Sequence, residues 1–421
     1  MNIGTWKQTP GLAWRNLWRN RRRTLITVSM IAFGFALAVV SIGLGDGGHN
    51  AMIRNAIRMG DGHLTVQPRG YLTSPANYRF LHAGGEVLAQ VQGAGLAGRV
   101  APRVSLQLLA SSATNAIGVA LQGIQPGRDP LHDVLGDSLV DGDWLEPGDH
   151  RGLLIGESLS RKLDADVGNK VVLMAGGRDG QTISQLGRVR GIFRTGLDEL
   201  DGYVLLSDLA LARQFLYAEG ATPEAAPLTR IAVFLDDAEA LPAAKTALAD
   251  AVTAREAVVL DWQEMMPQLV SFIVVDDVGN YIWLVFILVM VAFGILNTIL
   301  MSVLERTREF GLLRALGVSP AQLLTLVLLE TIQLAIVALV AGWLLALGGH
   351  AYFAIKGLDL SAMGEEMLMT SGAMMDPILR TELSAGRVTS LTLLVFVTTL
   401  LAGIYPAFRA ARVSPVAALH E

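Results

Sequence analysis

Cysteine is absent from this 421-residue sequence. That absence excludes a disulfide framework, thiolate zinc sites, iron–sulfur clusters and a lipidated N-terminal cysteine. Charge is scarce as well, since Asp, Glu, Lys and Arg make up 17% of the residues, against about 25% in a soluble globular domain. Together with 52% hydrophobic residues and a mean hydropathy of +0.45, this argues for an integral membrane protein. Catalytic signatures are missing too. No G-x-x-x-x-G-K-S/T pattern occurs, and the dipeptide Gly-Lys is absent altogether, which argues against a P-loop nucleotide site in this chain. No H-E-x-x-H occurs among the seven histidines, and Gly156-Glu157-Ser158-Leu159-Ser160 lacks the last glycine of a nucleophile elbow. Gly43, Gly45 and Gly48 match the dinucleotide pattern G-x-G-x-x-G only formally, because they end an apolar run and follow no strand. Asp141, Asp143, Glu146 and Asp149 depart from EF-hand spacing and read as loop chemistry. Neither a metal site nor a catalytic residue is expected.

Four apolar runs are long enough to cross a bilayer, which takes roughly 20 residues. They are Thr24 to about Leu44, Val278 to Leu304, Leu323 to Gly349 with the single acid Glu330, and Val388 to about Ala407. Arginine placement orients them. Residues 1–23, 305–322 and 408–421 hold 11 Lys and Arg against 3 acids, whereas residues 46–277 and 350–387 hold 22 against 34. Juxtamembrane basic residues resist translocation, so the first set is expected in the cytoplasm. The expected order is a cytoplasmic amphipathic helix (1–23), a first span (24–45), a periplasmic α/β domain (46–277) and a second span (278–304). A cytoplasmic coupling segment (305–322), a third span (323–349), a periplasmic loop (350–387), a fourth span (388–407) and a cytoplasmic tail (408–421) follow. Ala36-Leu37-Ala38 after the basic start also resembles a signal-peptide cleavage site, but the apolar run continues past it. The acidic remainder gives no reason to expect nucleic acid.

Before the first span, Trp14, Trp18 and Leu17 are interleaved with Arg15, Arg19, Arg21, Arg22 and Arg23. This pattern fits a helix on the inner leaflet with aromatics at headgroup depth and arginines on phosphates, or simply a topology signal. The segment 305–324 carries a charged face (Glu305, Arg306, Arg308, Glu309, Arg314) and apolar residues Phe310, Leu312, Leu313 and Leu316. Gly317 suits a helix stop. Ser319-Pro320-Ala321-Gln322 has the pattern of a capping box with proline at the first helical position. A short helix pinned between two spans either passes force from a soluble partner to the membrane or is a solvated connector. Glu330, about 10 Å into the third span, either has a buried polar role shared with Gln333 at i+3 or is hydrated from the cytoplasmic side. In the insert, strands are expected near 153–156, 170–174, 188–194, 203–206 and 230–235, with helices near 157–163 and 238–253. The overall expectation is an α-helical membrane protein of four transmembrane helices, with a large mixed α/β periplasmic domain between helices 1 and 2.

Several stretches carry a family resemblance. NTILMSVLERTREFGLLRALGVSPAQLLTLVLLE, GIYPAFRAARVSPVAAL and LAWRNLWRNRRRTLIT resemble the FtsX-like permease family of ABC transporters, in its MacB, LolC and LolE branch. LLIGESLSRKLDADVGNKVVLM and GIFRTGLDELDGYVLL resemble that branch's periplasmic domain. The resemblance implies a non-catalytic permease subunit of the bacterial inner membrane, served by a separate ATPase dimer that carries the ATP and Mg, with no cofactor in this chain. It implies mechanotransmission to periplasmic domains, a second permease copy that is identical or a paralogue, and Glu305, Arg306, Arg308, Glu309, Phe310, Gly311, Arg314 and Gly317 in the ATPase-coupling segment. Extraction of lipoproteins toward a periplasmic carrier is the work it implies first. MacB-like export through an adaptor, or FtsX-like regulation of a periplasmic hydrolase, are the alternatives. MacB has a fused ATPase domain, and with about 23 residues before its first span this chain resembles the stand-alone, LolE-type permeases. The loop with Met363, Met367, Met369, Met374 and Met375 is longer than expected for MacB, and either packs on the ectodomain or touches lipid-bearing cargo.

Overall fold

A computed structural model describes residues 9–177, 181–196, 198–253, 256–360, 369–370, 373–374 and 378–413. Its elements in chain order are α1 (Thr9–Arg19), α2 (Arg21–Met59), β1 (Leu64–Pro68), α3 (Gly84–Gly93), β2 (Gly98–Ser111), β3 (Ala116–Ile124), α4 (Leu131–Leu135), β4 (Leu139–Gly142) and β5 (Gly152–Gly156). Then come α5 (Glu157–Leu163), β6 (Lys170–Gly176), β7 (Thr182–Phe193), α6 (Asp198–Asp201), β8 (Val204–Asp208), α7 (Leu209–Ala218), β9 (Arg230–Leu235), α8 (Leu241–Ala251), β10 (Ala257–Asp261) and α9 (Trp262–Met265). The chain ends with α10 (Pro267–Glu305), α11 (Thr307–Ala315), α12 (Pro320–Ile355), the two-residue strands β11 (Leu358–Asp359), β12 (Met369–Thr370), β13 (Ala373–Met374) and β14 (Ile378–Leu379), and α13 (Ala385–Ala411). Two units result, one comprising Met1–Ala51, Phe272–Ala362 and Asp376–Glu421, the other Met52–Ser271 and Met363–Met375.

The first unit contains the four apolar runs, carried by α2, α10, α12 and α13, each long and apolar enough to cross a membrane. At 1.5 Å per residue the 39-residue α2 and α10 reach nearly 60 Å, about twice the hydrocarbon thickness. The helices therefore run well beyond the apolar stretches that announce them. Their packed faces repeat at helical spacing: Ile31, Phe35 and Val39 of α2 meet Leu284, Ile287, Val291 and Ile295 of α10, Leu334 and Ala338 of α12, and Leu391 and Val395 of α13. At one end of this bundle Arg387 of α13 bonds Asp46 of α2 at 2.6 Å and Asp277 of α10 at 2.9 and 3.1 Å. Nearby, Gly47 has no room for a side chain, because a Cβ there would lie 1.8 Å from the Arg380 carbonyl oxygen. The segment after α12 folds back through the β11 to β14 ladder, Leu358 pairing with Leu379. Met363, Met367 and Met375, the side chains of Met369 and Met374, and tail residues 414–421 lie outside the described residues, and with them the two readings of that methionine-rich loop.

The second unit is mixed α/β. Strands β10, β1, β9 and the first half of β2 form an antiparallel sheet in that order. With α3 between β1 and β2 and α8 between β9 and β10, the order is that of a split βαβ, ferredoxin-like motif. Everything between β2 and β9 is an insertion into it. The second half of β2 leads that insertion into a closed circuit, β2 to β3, β8, β5, β7, β6 and back to β2. Closure leaves these six strands without an open edge in the circuit. Strands β5 and β9 are buried along nearly their whole length, whereas the start of β7 alternates exposed and half-buried residues.

One buried charge cluster joins the two halves. Arg103 of β2 is 1% exposed and forks onto Asp129 of the insertion, Nε to Oδ2 at 2.9 Å and Nη2 to Oδ1 at 2.7 Å. Its Nη1 donates to the Gly60 carbonyl at 2.5 Å, and Asp61 beside that carbonyl pairs with Arg230 of β9. Removing one partner from such a pair leaves a buried charge without compensation, at a cost of about 3–5 kcal/mol. Asp129→Ala is therefore expected to lower the thermal midpoint of the purified chain by many degrees, whereas the exposed pair Arg99–Asp133 can be broken with little effect; equal shifts would contradict the assignment.

Candidate functional site: the link between α10 and α12

The helix α10 stops because Arg306 leaves helical geometry, at φ −108° and ψ 14°. After nine residues α11 ends on a left-handed Gly317, φ +90°, and the Val318 amide reaches back to the Leu313 carbonyl at 3.0 Å while the Gly317 amide reaches that of Arg314 at 3.1 Å. This is a Schellman closure, which tolerates glycine best at that position. Ser319 then caps α12: its Oγ accepts from the Gln322 amide at 3.3 Å and the Gln322 side chain accepts from the Ser319 amide at 2.9 Å.

The hold on this link comes from Glu330, about 15 Å along α12 from Pro320. Its carboxylate accepts from Arg306 Nη1 at 3.1 and 3.4 Å and from Asn16 Nδ2 of α1 at 2.8 Å. Arg306 is itself buried, its Nε donating to Glu309 at 3.1 Å and its guanidinium lying 5.1 Å from the Phe310 ring. One helical turn on, Gln333 donates to the Pro10 carbonyl at 2.9 Å. The N-terminal helix completes the frame: Arg19 pairs with Glu309 at 2.8 Å and Arg23 with Glu305 at 2.5 Å. Beneath the frame Phe310, 1% exposed, packs with Val303, Leu323, Val327, Ala407 and Ala410. Two polar residues of the third span thus both bond α1, and the carboxylate meets a cation from the neighbouring turn.

Burial works to raise the Glu309 carboxyl, but hydrogen bonds and charge from Arg19 and Arg306 outweigh it and hold it below the usual carboxylate range. A depressed carboxylate contributes stability above its unfolded value and loses it only as pH falls through the folded one.

The outward face of α11 is narrower than the sequence led us to expect. Arg306, Phe310 and Gly311, expected among the coupling residues, are buried within the chain, and Arg314 is half-buried with its Nη1 on the Val318 carbonyl at 3.2 Å. They shape the link instead of presenting to its surface. What remains outside is Arg308, Leu312 at 53% and Leu316 at 71% exposure, one stripe at i, i+4 and i+8, flanked by Glu305, Glu309 and Gly317. Along α1, Trp14, Arg15 and Arg19 are exposed and Trp18 half-buried, the two indoles in edge contact at 5.8 Å between centroids; Arg21 and Arg22 are exposed and Arg23 half-buried at the start of α2. Asn16 is not legible in the sequence, for an asparagine among arginines carries no signal of a partner more than three hundred residues away. Among the described residues no group of three or more His, Asp or Glu is placed to hold a metal ion.

Replacing Glu330 by Ala leaves the buried Arg306 only the solvent-exposed Glu309 as an acidic partner, so the single variant is expected to lose up to about 3–5 kcal/mol of stability and the double variant with Arg306→Met distinctly less. A thermal denaturation cycle in detergent checks this; additive losses would contradict a direct pair. The Glu309 contacts, by the sign given above, should persist from about pH 5 to 8, read as unchanged protection of the α11 amides relative to their intrinsic exchange at each pH.

Comparison with known proteins gives the geometry its context. Residues 24–251 match the MacB-like periplasmic core domain and residues 281–415 the FtsX-like permease C-terminal family. The chain is 22% identical over 409 residues to the lipoprotein-releasing system transmembrane protein LolC of Xylella fastidiosa, covering 94% of this chain and 93% of that protein. It is 23% identical over 330 residues to LolE of Haemophilus influenzae, 76% of either chain. An ABC transporter permease of Methanocaldococcus jannaschii is 22% identical over 419 residues, 97% of this chain and 96% of that one. The chain therefore belongs to the FtsX-like permeases with a MacB-like periplasmic core domain, the ABC transporter permeases of the LolC, LolE and MacB type.

Proposed function

We propose that this chain is the membrane subunit of a machine that extracts lipidated proteins from the outer leaflet of a bacterial inner membrane, driven by a separate ATPase. The observation that carries the coupling role is the seating of α11: its inward side is locked by Arg306, Glu330 and Phe310, while Leu312 and Leu316 stand exposed as an apolar pair in line with Arg308 and flanked by charge. Such a surface fits a groove on a soluble partner, and the rigid frame behind it turns a push on α11 into movement of α10 and α12 together. In this reading ATP and Mg are bound by the ATPase dimer, two permease copies share it, and the excess of arginine on residues 1–23 and 305–322 puts that face in the cytoplasm. The MacB-like domain then works in the periplasm. Likeness along nearly the full length of LolC supports lipoprotein release as the work done. The work is demanding, since each buried methylene of an acyl anchor adds about 0.8 kcal/mol of membrane affinity.

Two measurements test the reading. Leu312→Asp with Leu316→Asp should abolish co-purification of the ATPase while leaving the fold intact, because both residues are exposed; an ATPase still bound at wild-type level would overturn the coupling role. In spheroplasts, depletion of this chain should trap lipid-modified proteins in the inner membrane. Normal release of every such protein would remove the proposed cargo and leave the coupling role standing.

A further inference from the structure

From Thr9 to Arg23 the chain carries five arginines and no acid. Two of them are committed inside the protein, Arg19 to Glu309 and Arg23 to Glu305. The other three, Arg15, Arg21 and Arg22, are exposed and make no ion pair among the described residues. They share the surface of this segment with exposed Leu12 and Trp14, whereas Ala13 is buried and Asn16 and Leu17 are half-buried. Besides the packing of buried Ala13 and of Leu17 on the helix bundle, three polar contacts attach α1: Asn16 on Glu330, the Pro10 carbonyl under Gln333, and the Arg19–Glu309 pair, itself about half exposed.

We infer that α1 is a clamp set by anionic phospholipid, in which headgroups of net negative charge engage Arg15, Arg21 and Arg22 and so hold Asn16 and Arg19 on Glu330 and Glu309. The inference rests on the cytoplasmic placement proposed above. Charge complementarity selects the occupant: three free guanidiniums with no neighbouring carboxylate of their own, beside the exposed Trp14, an aromatic of the kind amphipathic helices set among headgroups, are matched by phosphate groups that lack a compensating ammonium. Arg19 and Arg23 stay on their carboxylates, so lipid binding adds to the internal contacts instead of competing with them. Because Glu330 also holds Arg306, a seated α1 fixes the start of α11, and the membrane's charge becomes an input to the link between α10 and α12.

The test uses the full chain in nanodiscs of phosphatidylcholine alone or with phosphatidylglycerol, and reads amide hydrogen exchange of residues 9–23. Each basic residue near an anionic surface favours it about five-fold, so three arginines should raise protection of α1 by up to the order of 100-fold when phosphatidylglycerol is present. Arg15→Gln with Arg21→Gln and Arg22→Gln should abolish that gain and leave exchange in pure phosphatidylcholine as it was. As a control, Arg19→Gln should speed exchange in both bilayers while keeping the response to phosphatidylglycerol. Equal protection in both bilayers, or an undiminished response in the triple variant, would overturn the inference. Neither ATPase nor cargo enters the readout, so its failure is separate from any failure of the coupling role.

Discussion

A carboxylate set about 15 Å into an apolar helix has to be paired, and the arrangement around Glu330 follows from that need. On the insertion scale an acid at the centre of a spanning helix costs about 2.5–3.5 kcal/mol. Here the burden is relieved by a guanidinium from the α10–α11 junction and an amide from α1. The consequence is geometric: Arg306 can reach Glu330 only if α10 ends where it does, so the pair sets where α11 begins and which of its residues turn outward. Phe310 fills the space beneath, and Gly317 and Ser319 close the turn within a few residues.

A second ionic node stands toward the other end of the same bundle. Arg387 at the start of α13 holds Asp46 and Asp277, tying α2, α10 and α13 where the apolar runs end. The two nodes differ in kind. Around Arg387 one cation serves two acids among helices already packed along their length. Around Glu330 one acid serves groups from two short segments, α1 and the α11 turn, whose apolar contacts are confined to Ala13 and Leu17 on one and the surroundings of Phe310 on the other. The first node therefore fastens the bundle, and the second fastens what a partner pushes on.

Much of this was readable where the signal is local. The four apolar runs, the stop at Gly317, the Ser319-Pro320-Gln322 start and most strand positions from 152 onward depend on neighbours within a few residues. The helix expected over 238–253 narrows to Leu241–Ala251 because Pro242 belongs in a first turn. What depended on distant partners was hidden. The sequence left Glu330 open between a buried polar role and hydration from the cytoplasmic side, and gave no sign of Arg306 and Asn16 as its partners or of the inward turn of Phe310 and Gly311. Strand β1 and the first half of β2 were not legible because their pairings are remote, Leu64 with Asp261 and Arg99 with Phe234. Nothing near Arg103 in the sequence marks it as buried, because Asp129, onto which it forks, lies 26 residues on.

The central claim is that Glu330 holds α1 and α11 as one body, and the absence of cysteine makes it directly measurable. Spin labels at Leu12→Cys and Leu312→Cys, both exposed positions, report the separation of the two segments by pulsed electron resonance in nanodiscs that contain phosphatidylglycerol. A single narrow distance distribution that broadens on Glu330→Ala is the predicted result. A distribution already broad in the parent chain, or one that Glu330→Ala leaves unchanged, would contradict it.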